Sequence, residues 1–126
     1  MIAAIIGSRS FTDYALLERT LDQYQIDSIV SGGAVGADSL AERYASERNI
    51  TIRVIKPDWS IGRHAGMLRN TEIVESSDIV FAFWDGQSKG TLDSIKKAGK
   101  MNKQCILVRT VRSMPEQPKK DVETFF

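Results

Sequence analysis

The feature that most constrains this chain is a regular alternation of short apolar runs with longer amphipathic ones. Residues 2–6 (IAAII), 27–30 (DSIV), 51–55 (TIRVI), 78–83 (DIVFAF) and 104–109 (QCILVR) have the length and composition of strands. Between them, apolar residues recur at helical spacing. Residues 14–24 set Leu17, Leu21 and Tyr24 on one face, with Thr12 or Asp13 as the N-cap. Residues 38–48 do the same with Leu40, Ala41, Tyr44 and Ala45, and residues 64–76 turn Leu68, Ile73 and Val74 to a core. Residues 91–101 supply a last helix. Strands and helices alternating at this pitch predict right-handed βαβ units. Nearly continuous apolar strands belong to a parallel sheet covered on both faces. The expected fold is therefore α/β: a Rossmann-like three-layer sandwich with a parallel sheet of about five strands, one domain over residues 1–112. Residues 113–126, with two prolines and mixed charge, read as an irregular tail whose Phe125 and Phe126 offer docking groups for the body or a second subunit.

Composition narrows the function classes. A length of 126 residues suits one core. Seventeen Lys and Arg against sixteen Asp and Glu leave a net charge of +1, which gives no global attraction for nucleic acid. The single cysteine, Cys105, lies in the apolar run QCILV and reads as a buried structural thiol in a reducing compartment. No run approaches the length of a membrane span. The stretch MIAAIIGSRS has no basic residue before its apolar part and reads as a first strand, not a signal peptide. A cytoplasmic location with no membrane partner is expected.

Ligands of open parallel sheets bind beyond the carboxyl ends of the strands, so the segments that follow the strands are the ones to read. They are GSRSF, SGGAVGAD, KPDWSIGRHAG and WDGQSKGT, all rich in glycine and small polar groups and each leading towards a helix. Such junctions present backbone N–H groups and a positive helix end to an anion. In SGGAVGAD, Ser31 precedes Gly32, Gly33 and Gly36, Ala37 adds little bulk, and Asp38 fits as an N-cap. The stretch suits a phosphate turn and a bare strand-to-helix turn equally, and it is neither GxGxxG nor a P-loop. Gly7, Ser8 and Arg9 follow the first strand, where the arginine is either an anion clamp or a solvated loop residue. Trp59 follows the third strand, and Arg69 and Asn70 lie on the helix beyond it. Trp84, Asp85, Gly86, Ser88, Lys89, Gly90 and Thr91 combine an indole, a carboxylate, hydroxyls and a cation, with Thr91 as a candidate N-cap. His64 has no second histidine or cysteine beside it, so no metal is expected and a helix-terminal role is favoured. Together the loops describe a cleft for a nucleotide-like ligand, with phosphate on the glycine turns and a base against aromatics.

The blocks GSRSFTDYALL, SGGAVGADSLAERYA, DWSIGRHAGMLRNTEIVESSD and FAFWDGQSKGT, in this order, resemble the YspA-like group of the SLOG superfamily. That superfamily also holds the Lonely Guy-type phosphoribohydrolases and DNA-processing protein A. The resemblance implies a Rossmann-like fold binding a nucleotide, a nucleotide-derived ligand or nucleic acid at the strand ends. It also puts Arg69 at the phosphoribohydrolases' arginine and Gly90-Thr91 at the GT of their PGGxGTxxE signature. Ser94 stands where their catalytic glutamate would be, and Asp93 beside it is turned by about 100°. A serine does not stabilise an oxocarbenium-like centre as a carboxylate does.

The leading expectation is therefore binding or sensing of a nucleoside monophosphate or an ADP-ribose-like ligand, with no cofactor. The alternative is a nucleotide N-glycoside or phosphate hydrolase, with Arg69 holding phosphate and Asp85 as catalytic carboxylate. Single-stranded nucleic-acid binding is a third. Analogy with relatives of the same fold adds self-association into a homo-oligomer.

Overall fold

The computed structural model describes residues 1–110 and the backbone of residues 122–124. Five strands alternate with four helices: β1 (Ile2–Gly7), α1 (Tyr14–Leu21), β2 (Ser28–Ser31), α2 (Ala37–Arg48), β3 (Thr51–Val54), α3 (Ala65–Glu75), β4 (Ile79–Trp84), α4 (Lys89–Lys100) and β5 (Gln104–Arg109). A 3-10 turn, Trp59–Ile61, precedes α3. The sheet order is β3-β2-β1-β4-β5, all parallel, and a short β6 (Val122–Thr124) adds antiparallel to β5. The expected α/β sandwich is present. Within the tail, residues 122–124 are strand and not irregular; Phe125 and Phe126 lie outside the described residues.

Each strand's composition matches its place. β1, β4 and β5 are buried along almost their whole length, as central strands covered by helices must be. β3 alternates exposed and half-buried residues because it lies at the edge. Two apolar layers result. On one face Leu16, Leu17, Leu21, Ala41 and Tyr44 of α1 and α2 pack on Ile5, Phe81 and Phe83. On the other, Ile73 and Val74 of α3 and Ile95 and Ala98 of α4 cover Ile6, Val80 and Leu107. Cys105 is fully buried here, and desolvation pushes its thiol up to about 12.

Several local expectations are corrected. Leu68 is 51% exposed, not core. It lies about 140° around the helix from Ile73 at 3.6 residues per turn, and the buried Asn70 takes the inward face with Ile73 and Val74. α1 ends at Leu21, where i to i+3 bonds to Gln23 and Tyr24 tighten the chain, although Tyr24 still packs edge-on to Phe81 at 5.0 Å. Asp13 caps this helix by accepting from Leu16 N at 3.1 Å. Asp38 is not the N-cap of α2; Gly36 is, and Asp38 reaches back from the first turn to accept from Ala34 N at 3.0 Å. Thr91 is likewise not the cap of α4, since Ser88 Oγ accepts from Thr91 N at 3.3 Å.

The strand order reverses between β1 and β4, since β2 and β3 lie on one side and β5 on the other. That reversal opens a crevice at their carboxyl ends.

Candidate functional site

Two short linkages fix the floor of the crevice. Ser8, buried at the end of β1, donates its N–H to Phe83 O at 3.0 Å, and its Oγ accepts from Asp85 N at 3.1 Å. Phe11 stacks on Phe83 with ring centroids 4.9 Å apart, which pins the far end of the β1–α1 loop. Arg9 therefore rises from a loop held at both ends, and its own side chain is exposed. Gly36, at φ +80, lets the α2 start press on this loop: a Cβ there would meet Ser8 O at 2.4 Å. Ala37 abuts Gly7 in the same contact.

Arg69 faces Arg9 from α3. Its Nη1 donates to Gly32 O at 2.8 Å and its Nε to Asn70 Oδ1 at 2.9 Å. A side chain at residue 32 would collide with this guanidinium, at 2.5 Å. Asn70, itself buried, passes the linkage on by donating Nδ2 to Asp93 Oδ2 at 3.2 Å and to Gly90 O at 3.4 Å. Asp93 in turn pairs with Lys97 at 2.7 Å.

Charge in the crevice is unevenly compensated. Desolvation lowers the Arg69 pKa, Asp38 opposes that shift and Arg9 adds to it. Asp38 is pushed up to about 6, chiefly by burial, against the pull of Ala34 N–H and of Arg69. The carboxyl of Asp38 thus holds its charge poorly even though Arg69 favours the charged form. An anion beside Arg9 and Arg69 would offset their mutual repulsion and favour the charged form of Arg69.

Three contiguous hollows open here. The central one, about 200 Å³, is lined by Gly7, Arg9, Gly32, Asp38, Arg69 and Asn70, and across from these by Ser88, Gly90, Thr91 and Ser94. A second, about 320 Å³, lies among Ser8, Arg9, Ser10, Asp85, Gln87 and Ser88. The third, about 330 Å³, is bounded by Arg9, Gly32, Gly33, Ala34, Arg69 and the segment carrying Lys56, Pro57 and Trp59. Arg9 is common to all three.

Most of the sequence-derived candidates meet in this cleft, and some stand behind it. Ser31 is buried beneath it, with its carbonyl bonded to Ile55 N, while Gly36 and Ala37 pack against the β1 end. Trp84, Gly86 and Lys89 line none of the hollows. The Trp84 N–H donates to Ser88 O at 3.0 Å, and Arg109 lies 5.4 Å over its ring. Asp85 Oδ1 accepts from Gln87 N at 2.8 Å and Ser88 N at 2.9 Å, so this carboxylate shapes its loop. Ser94 is buried and donates to Gly90 O at 3.3 Å; Asp93 is committed to Asn70 and Lys97. Sequence reasoning does not single out Lys56, Ser10 or Gln87, while Ala34, like Ala37, stands in the glycine turn as a residue of little bulk. Lys56 sits two residues beyond the end of β3 and directly before Pro57, a position that carries a signal only once the strand order is known. His64 stands exposed at the start of α3. Among the described residues no group of three His, Cys, Asp or Glu side chains could hold a metal ion, and no helix is long and apolar enough to cross a membrane.

Comparison with known proteins agrees with this architecture. Residues 1–62 match the model of the YspA, cpYpsA-related SLOG family. That match takes in Arg9, the SGGAVGAD turn and Trp59, while Arg69 and the start of α4 lie beyond it. The gene 61 protein of Mycobacterium phage D29 is 39% identical over 79 residues, covering 57% of this chain and 63% of the relative. The likeness thus spans less than two thirds of that protein's length.

Proposed function

The chain belongs to the YspA-like group of the SLOG superfamily, and from that premise we propose that it binds or senses a nucleotide or nucleotide-derived ligand in the cleft at the β1–β4 carboxyl edge. The family suggests nucleotide-related function. One observation carries it. Arg9 and Arg69 flank a hollow that is also lined by Gly90, the second residue of α4, and among the described residues nothing outside its own helix backbone and chain neighbours lies within 4 Å of where a Gly90 Cβ would stand. A phosphate fits that place, because cations, helix-start N–H groups and absent side-chain bulk converge on it.

Binding is favoured over turnover by how the carboxylates are used. Ser94 replaces the expected glutamate, Asp93 is paired away from the hollow, and Asp85 is engaged by its own loop. Titration calorimetry with AMP, ADP, ADP-ribose and NAD is the test. The expected outcome is saturable binding that weakens at least about tenfold in Arg9→Ala and in Arg69→Ala, since a charge-assisted contact contributes more than a neutral one. No heat and no thermal stabilisation with any of these ligands would sink the reading.

A second reading, hydrolysis of a nucleotide derivative, is supported by one feature. Asp38 lines the central hollow and holds its proton up to about pH 6, in the range of a general acid. Chromatography of long incubations decides it: release of base or phosphate that disappears in Asp38→Asn or Asp85→Asn supports turnover, and intact nucleotides exclude it for the ligands tried.

A further inference from the structure

Among the described residues, Asp38 brings the one carboxyl to the lining of the central hollow, beside the guanidiniums of Arg9 and Arg69. It is 8% exposed, and its Oδ2 accepts from Ala34 N at 3.0 Å. Arg69 is close. The point where a Gly32 Cβ would stand is 2.5 Å from Arg69 Nη1 and 3.0 Å from Asp38 Oδ2. Yet the guanidinium directs its hydrogen bonds to Gly32 O and Asn70 Oδ1, and not to this carboxyl.

The other influences on Asp38 divide. Burial, the largest, and Glu42 one turn along α2 oppose its charge, while Ala34 N–H, Arg69 and the Ser31 hydroxyl favour it. Arg9 enters from the β1–α1 loop, and Lys56 lines the adjoining third hollow with Gly32 and Ala34. From α4 the central hollow receives Ser88, Gly90, Thr91 and Ser94, none of them charged, and Asp93 is paired with Lys97. The balance leaves the carboxyl titrating at about 6. A phosphate set beside Arg9 and Arg69 tips it. Negative charge enters the hollow that the carboxylate already lines, and the Arg69 charge that favoured the carboxylate is shared with the newcomer. Once neutral, the carboxyl carries an O–H, so an acceptor that repels phosphate oxygen becomes a donor that bonds it.

Resting on the phosphate placement in the reading above, we propose that Asp38 is a proton switch for the cleft: it takes up a proton as phosphate enters the central hollow, so binding tightens as the medium becomes more acidic. The cleft then responds to ligand and proton together. By linkage, a ligand that raises the proton affinity of Asp38 binds more tightly where Asp38 is already protonated. Arginine keeps its charge throughout, so the guanidiniums add nothing to the pH dependence. Histidine is the ordinary group to suspect near neutrality, but His64, the chain's one histidine, lines none of the three hollows.

Calorimetry with ADP-ribose on the full chain, from pH 5.5 to 8, tests the switch. Its diphosphate is esterified at both ends and keeps a fixed charge over this range, unlike the phosphate monoester of AMP. Affinity is expected to fall at least about tenfold from the acidic end to the alkaline end. At pH 7 the heat should differ between two cationic buffers of unlike ionisation heat, by an amount equal to uptake of about half a proton or more. Asp38→Asn should bind without proton uptake and equally well at both ends of the range, and His64→Gln should behave as wild type. Affinity that ignores pH, uptake retained in Asp38→Asn or uptake lost in His64→Gln would overturn the switch and leave nucleotide binding standing. The wild-type profile and His64→Gln still decide the matter should Asp38→Asn fail to fold. If ADP-ribose and AMP both fail to bind, the nucleotide reading falls, and sulfate, an anion of fixed charge, is titrated in the same way. Proton-linked sulfate binding then keeps the switch; sulfate that binds without uptake, or does not bind, overturns it as well.

Discussion

Gly90 is the second residue of α4, a position where alanine would hold the helix better by about 0.5–1 kcal/mol. Among the described residues no contact requires a glycine there, because a Cβ would meet nothing within 4 Å beyond its own helix backbone and chain neighbours. Gly90 lines the central hollow. Gly90→Ala is therefore expected to keep or raise stability in urea denaturation while weakening the ligand about tenfold by calorimetry. Gly36 behaves in the opposite way. Its φ of +80 and the 2.4 Å approach to Ser8 O make it a structural necessity, and Gly36→Ala should cost about 2–4 kcal/mol. Asp38 adds a pH dependence with a definite sign. Its folded pKa, about 6, lies above its ordinary value of 3.8, so its contribution to stability is fully present below about pH 4 and is lost as pH rises through 6. Asp38→Asn should then be more stable than wild type by about 1–3 kcal/mol at pH 7, and the gap should close towards pH 4. Urea midpoints at pH 4, 5, 6 and 7 read this directly; a gap that is constant with pH would show that burial of the charge is not its cause.

The elements that position Arg69 depend on one amide. Asn70 accepts from Arg69 Nε and donates to Asp93 and Gly90, and so ties α3 to α4 and orients the guanidinium at the same time. Asn70→Ala should cost about 1–3 kcal/mol, since it leaves buried partners unsatisfied, and should also lower ligand affinity through Arg69. Asn70→Asp would set a carboxylate against Asp93 and lose more. Chemical denaturation and calorimetry on the same samples separate the two effects. Sequence periodicity was enough for the existence and order of these helices, because apolar spacing reports which face is covered. It was not enough for their starts. Gly36 and Ser88 displaced Asp38 and Thr91 as caps, since cap choice depends on backbone angles that neither GGAVGAD nor GQSKGT encodes by residue type alone. Leu68 misled for a related reason. By residue type a leucine reads as core, but its angular position puts it outward, and the inward position belongs to a polar residue with partners on α4.

The cleft belongs to the whole molecule, because Arg9, Asp38, Trp59 and Arg69 come from four separate segments joined only by the strand order β3-β2-β1-β4-β5. Sequence located the segments by the rule that ligands sit at strand carboxyl ends, yet it could not separate Trp59 from Trp84. That distinction rests on Arg109, which reaches Trp84 from the neighbouring strand β5. The same unity supplies a reporter of global stability. Cys105 is the chain's single cysteine, lies at 0% exposure in β5, and holds its proton up to about 12. A thiol reagent attacks the thiolate, so labelling requires β5 to be exposed by unfolding. If the layers α3 and α4 open only with the whole fold, the labelling rate at pH 8 follows the unfolded fraction. A ligand that binds the native cleft at one hundred times its Kd then slows labelling about a hundredfold, equivalent to about 2.7 kcal/mol. Asn70→Ala should speed it in proportion to its lost stability. Labelling that ignores a ligand known by calorimetry to bind would mean that β5 is exposed by a local opening which leaves the β1–β4 crevice intact, and the molecule would then be two cooperative layers and not one.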